Sequence, residues 1–196
     1  YVGGVSADWQ RGLQGQKVCP PVAAVHASDV AAVQFCLQHG ASADIQNPMG
    51  DTLLVIASRK QQPRVVELLL EAEAPLNASS SGTTPLHAAV EQATGEHGEC
   101  VDLLLQAGCE VDVRDGNGDT PLNAAVRSQA VEAAHKLLEA GADPDIAANA
   151  GDTPLHRCAK KDAEDLIAPL LNAGADPNLE NADGETAVAV AVCEHS

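Results

Sequence analysis

The chain is poor in aromatic residues. Its 196 residues hold one Trp, one Tyr and one Phe, together 2%. Wide flat cores need such rings, so packing falls to Ala, Val and Leu within a hydrophobic content of 45%. Small side chains let helices approach closely. Cations are scarce too: 11 Lys and Arg stand against 28 Asp and Glu, for a net charge of −17. That deficit excludes non-specific binding to nucleic acid or to an anionic membrane surface, which need surplus positive charge. No apolar run approaches the roughly 18 residues of a membrane span.

Other absences narrow the chemistry. The six cysteines (Cys19, Cys36, Cys100, Cys109, Cys158, Cys193) include no CxxC. They are expected to be thiols in a reducing compartment, with Cys36, Cys109 and Cys158 in columns of buried residues. There is no phosphate-cradling GxxxxGK[ST], no GxGxxG after a strand, no GxSxG elbow and no HExxH. With so many acids, chance carboxylate pairs are unavoidable. The reading is therefore no enzyme, no metal and no cofactor. No basic, apolar and small-residue leader opens the chain. A start at Tyr1 is what a piece excised from a longer protein would show.

What is present is repetition. The pair Gly-x-Thr recurs at Gly50/Thr52, Gly82/Thr84, Gly118/Thr120, Gly151/Thr153 and Gly184/Thr186. The threonines are 32, 36, 33 and 33 residues apart. Three open the string TPL. Thr suits a helix N-cap and Pro the first turn, where its missing N–H costs nothing. Further on come apolar triplets at i, i+3, i+4, the spacing of one helix face. They are Val33/Cys36/Leu37, Val66/Leu69/Leu70, Val101/Leu104/Leu105, Ala134/Leu137/Leu138 and Ile167/Leu170/Leu171. A glycine follows at Gly40, Gly108, Gly141 or Gly174 and can end the helix in the left-handed conformation. Glu73 replaces it once and should fit less well. Pro169, inside the last such helix, should bend or shorten it.

TPLHAA at Thr84–Ala89, TPLNAA at Thr120–Ala125, TPLH at Thr153–His156, LLEAGADP at Leu137–Pro144 and LLNAGADPN at Leu170–Asn178 make the chain resemble the ankyrin repeat family. The resemblance covers about residues 14–196. It implies an all-α solenoid of helix-turn-helix units joined by hairpin-like loops. The units are expected at 14–46, 47–78, 79–114, 115–147 and 148–180, with a partial one at 181–196. Unit one departs most, with Lys17 for Gly and Cys19 for Thr. Residues 1–13 form an extension or cap, in which Trp9 is a candidate cover for the open end. Three extra residues in EQATGEHGEC map to a loop. The partial unit lacks a second helix, so fraying or further repeats are expected there. His87 and His156 are implied to tie neighbouring loops by hydrogen bonds.

The resemblance also implies a function, which is binding a partner protein or peptide on the concave face. Tip positions there are Met49, Asp51, Ser81, Thr83, Asn117, Asp119, Asn149, Asp152, Asp183 and Glu185. First-helix ends are Arg59, Lys60, Glu91, Gln92, Arg127, Ser128, Lys160 and Lys161. Five of the eleven bases fall in that second column, which predicts a basic floor inside an acidic rim and a partner of mixed charge. Acids fill the tips and the second-helix exteriors, such as Glu67, Glu71, Asp102, Glu132, Glu139 and Glu164. No nucleic acid or membrane is expected as a partner, and a monomer is favoured. The location is expected to be intracellular, cytoplasmic or nuclear. The alternatives are a regulatory segment of a larger enzyme or channel, and a substrate adaptor of a ubiquitin ligase.

Overall fold

The computed structural model describes residues 20–77, 82–93 and 98–194. Eleven helices follow in order among them: α1 (Pro20–His26), α2 (Val30–Gln38), α3 (Leu53–Arg59), α4 (Pro63–Glu71), α5 (Pro85–Glu91), α6 (Glu99–Gln106), α7 (Pro121–Ser128), α8 (Val131–Glu139), α9 (Pro154–Lys161), α10 (Glu164–Asn172) and α11 (Ala187–Glu194). They pair as α1/α2 through α9/α10, and α11 stands alone. First helices α1, α3, α5, α7, α9 and α11 pack in series. Second helices α2, α4, α6, α8 and α10 form a parallel series.

The first helices start as the TPL strings require. Oγ1 of Thr52, Thr84 and Thr120 accepts from the backbone N–H three residues on, at 3.3, 3.4 and 3.3 Å. Pro85, Pro121 and Pro154 occupy the first turn. Then Leu54, Leu86, Leu122 and Leu155 turn inward, 0–5% exposed. From the second helices Leu69, Leu104, Leu137 and Leu170 meet them at 0%. Ala88, Ala89, Ala124 and Ala125, all fully buried, keep the first helices thin enough to stack.

Between pairs the chain makes a hairpin-like turn. The N–H of Asn47, Asp115, Ala148 and Asn181 donates to the carbonyl four residues on, at 2.8–3.0 Å. Isolated antiparallel bridges join Gln46 to Thr52 and Glu180 to Thr186. The turn glycine is obligatory at Gly82, where φ is +82° and an added Cβ would collide with the backbone of Gly116 in the next hairpin.

Three expectations need correction. Ile167 and Leu171 are 37% and 44% exposed, because no second helix follows α10 among the described residues. Val188, in the register of the buried first-helix leucines, is 66% exposed for the same reason. Pro169 does not shorten α10, which has the nine residues of α4 and α8. The carbonyl it leaves without a helical donor belongs to exposed Asp165, where water can serve. Cys36 is half-buried, whereas Cys109 and Cys158 are buried as expected. α11 is a continuous helix to Glu194. The expectations for Tyr1, Trp9, Lys17, Cys19, Ser81 and the insertion at 94–97 lie outside the described residues.

Glu73 adopts φ +56° where the equivalent Gly108, Gly141 and Gly174 adopt +81°, +88° and +97°. A side chain there pays the left-handed penalty. Glu73→Gly is expected to raise stability by about 0.5–1 kcal/mol, seen as a higher urea midpoint at unchanged slope.

Candidate functional site

The hairpin tips and the C-terminal ends of the first helices lie along one face of the array. Eight residues separate Asp51 from Arg59, Asp119 from Arg127 and Asp152 from Lys160. That distance carries the chain from the tip, through the Thr cap, down the first helix. It brings each acid and base of one unit together.

The resulting ion pairs revise the expected charge pattern. Arg59 grips Asp51 with both arms, at 2.7 and 3.4 Å. Lys160 Nζ lies 2.9 and 2.7 Å from the two oxygens of Asp152, which also accepts from Asn181 at 3.2 Å. Asp119 is clamped by Arg157 at 2.5 and 3.0 Å and touched by Arg127 at 3.1 Å. Arg127 in turn pairs with Glu91 of the preceding helix pair. Lys60 donates to the His26 carbonyl at the end of α1, at 3.0 Å. The floor is therefore not a free basic surface, and Lys161 makes none of these pairs. Three tip acids point inward, not at solvent: Asp51, Asp119 and Asp152 are only 8%, 1% and 7% exposed. The Arg59 guanidinium holds the Asp51 carboxyl below its ordinary 3.8, against the upward pull of burial.

The other predicted residues divide. Met49, Asn117, Asn149 and Asp183 are exposed tips, and Gln92 and Lys161 are exposed helix ends. Thr83 and Glu185 are half-buried; the Glu185 N–H donates to Asn181 Oδ1 at 3.1 Å. Half-buried Ser128 spends its hydroxyl on the Ala124 carbonyl at 2.7 Å. Sequence reasoning missed Arg157 and Asn181. It also missed the i, i+8 acid–base spacing, which was there to be read.

The outer surface has the opposite character. Glu71, Glu99, Glu132, Glu139, Glu164 and Asp165 are exposed on the second helices, where the cations are Arg64, paired with Glu67, and Lys136, shared by Asp102 and Glu132. The linkers add Asp143, Asp176 and Glu180. Some of these acids hold neighbouring loops: Asp112 accepts from the Asp143 N–H at 3.2 Å, and Asp145 from the Asp176 N–H at 2.9 Å. Negative charge thus gathers on the back while the tip face is nearly balanced.

Two buried side chains fix the tips from below. His87 Nε2 donates to the Asp119 carbonyl at 2.9 Å, while its Nδ1 accepts from Thr84, whose hydroxyl is 2.8 Å away. His156 repeats this with Glu185 O and Thr153, both at 2.8 Å. In α7 the same position is Asn123, which bonds Thr120 Oγ1 at 3.2 Å and reaches the Ile146 carbonyl at 2.8 Å. Burial lowers the His87 pKa, and the Thr84 N–H facing Nδ1 leaves no room for a second proton.

The three buried thiols offer no nucleophile here. Burial pushes Cys100 and Cys109 up to about 11 and Cys158 to about 12. A shallow depression of about 430 Å³ between the ends of α4 and α6 is lined by Leu70, Glu73, Ala74, Pro75, Leu76, Asn77 and Ala107, with a single carboxylate among them. Among the described residues no helix is long and apolar enough to cross a membrane.

The comparisons agree with this geometry. A family model described as ankyrin repeats (3 copies) matches residues 22–115 and 92–181. An ankyrin repeat protein of fowlpox virus (strain NVSL) is 35% identical over 101 residues, 50% of this chain and 29% of that protein. The potassium channel AKT2/3 of Arabidopsis thaliana is 32% identical over 48% of this chain and 12% of the channel. Ankyrin repeat and SOCS box protein 11 of Danio rerio is 31% identical over 54% of this chain and 36% of its own length. The matches therefore span about a third or less of each relative.

Two measurements check this picture. Because the folded His87 pKa is lowered, its contribution to stability is complete above the ordinary imidazole value of 6.5 and is lost as pH falls below it towards the folded value. His87→Asn, copying Asn123, should remove that share. Urea unfolding should then show a smaller stability loss from about pH 7.5 to 5.5 than in the parent chain. Native-state thiol labelling with mass-spectrometric mapping should find exposed Cys193 fast, with Cys100, Cys109 and Cys158 reacting only on unfolding.

Proposed function

Because the chain belongs to the ankyrin repeat family, whose repeats are protein-interaction modules, we propose that it binds a partner protein or peptide on the tip face. The charge distribution carries this reading. The back repels anionic partners, whereas the tip face has its buried charges paired and offers exposed Met49, Asn117, Asn149 and Asp183 to a ligand. A surface with paired charges docks a protein segment at low desolvation cost. The proposed location is intracellular, where the buried thiols stay reduced.

A second reading makes the array the regulatory or substrate-docking segment of a larger protein. The presence of a potassium channel and of SOCS box proteins among the relatives favours keeping it. Both readings use the same face.

Affinity capture followed by mass spectrometry tests the proposal. Asn117→Arg with Asn149→Arg adds bulk and charge at exposed tips and should abolish capture of a partner retained by the parent chain. Circular dichroism should be unchanged. Equal capture by both proteins would sink the tip face as the docking surface. Lys161→Glu is a suitable charge probe, since reversing Lys160 would also strand buried Asp152.

A further inference from the structure

Resting on the reading of the tip face as the docking surface, we infer that Arg127 anchors a carboxylate side chain of the partner, and that Glu91 stands in for it in the unbound array. The inference comes from counting charges around Asp119. That carboxylate is only 2% exposed and is already complete: Arg157 binds both oxygens, at 2.5 and 3.0 Å. Arg127 is a second guanidinium on the same acid, its Nη1 at 3.1 Å from Oδ2. The cluster therefore has one positive charge in excess. Glu91 balances it through the outer arm, Nη2.

Glu91 differs from the buried acids of this face, Asp51, Asp119 and Asp152. It comes from the end of α5, a different helix pair, and its side chain is 32% exposed. Arg127 beside it is 36% exposed. Arg59 and Lys160, by contrast, spend themselves on buried carboxylates of their own units. A partner's Asp or Glu can replace Glu91 one carboxylate for another, and Glu91 regains its water. Arg127 keeps its orientation throughout, because Asp119 holds the inner arm. The ordering cost of fixing an arginine on binding is thus met in advance.

The test uses a phage-displayed library of random peptides of about 12 residues, long enough in extended form to cross several hairpins, panned on the immobilised array. Affinities of selected peptides are then read by calorimetry. Binders should carry an acidic residue. Replacing it by its amide, or making Arg127→Gln, should each weaken binding about tenfold, and the two losses should not add. Glu91→Gln should tighten binding about threefold or more, since the competing carboxylate is gone. Should Arg127→Gln fail to fold, the Glu91→Gln measurement still decides, as both arginines remain on Asp119. Peptides that depend on Asn117 and Asn149 but ignore Glu91→Gln and Arg127→Gln would overturn the inference and leave the tip face standing. Peptides indifferent to Asn117→Arg and Asn149→Arg, or no binder at all, would count against the tip face and the anchor together.

Discussion

Helices of seven to nine residues are too short to persist alone in water. Every helix of this array is of that length, so each exists only because a neighbouring pair covers its apolar stripe. The eight leucines that line the two helix layers at 0–5% exposure are the visible result. Because this covering is strictly local, cohesion runs from pair to pair instead of into one centre. It also explains the exposed Ile167, Leu171 and Val188, over which no further layer lies among the described residues.

The same locality governs the polar groups. A buried carboxylate is tolerable only when paired. Asp51 and Asp152 find their bases within one unit, while Asp119 reaches two, one from the next pair. The histidines do for the hairpin backbone what the arginines do for its side chains. Asn123, the shorter side chain at the same position, bonds a different carbonyl, that of Ile146, earlier in the following loop.

Most of the fold could be read from the sequence. Thr, Pro and Gly announce where each helix starts and stops, and their physics is local. Glu73 was recognisable as a misfit because its column is otherwise glycine, and its φ of +56° bears that out. Pro169 leaves α10 at full length because the carbonyl it orphans, at exposed Asp165, can meet water, which no periodicity reveals. The tip face was legible as a set of columns but not as an electrostatic surface. Counting Arg and Lys in one column ignored the acids eight residues earlier, and exposure was assigned by position to Asp51, Asp119 and Asp152. Arg157 escaped because its partner lies 38 residues away in the previous unit.

The glycine of each hairpin leaves one more consequence. At Gly82 and Gly151 the backbone of the next loop lies so close that even a methyl group would strike it, at Gly116 in one case and Ala182 in the other. Successive loops therefore touch like beads on a taut string and cannot be squeezed nearer. Any molecule laid across several of them meets a ruler with fixed graduations, and must bring matching intervals of its own.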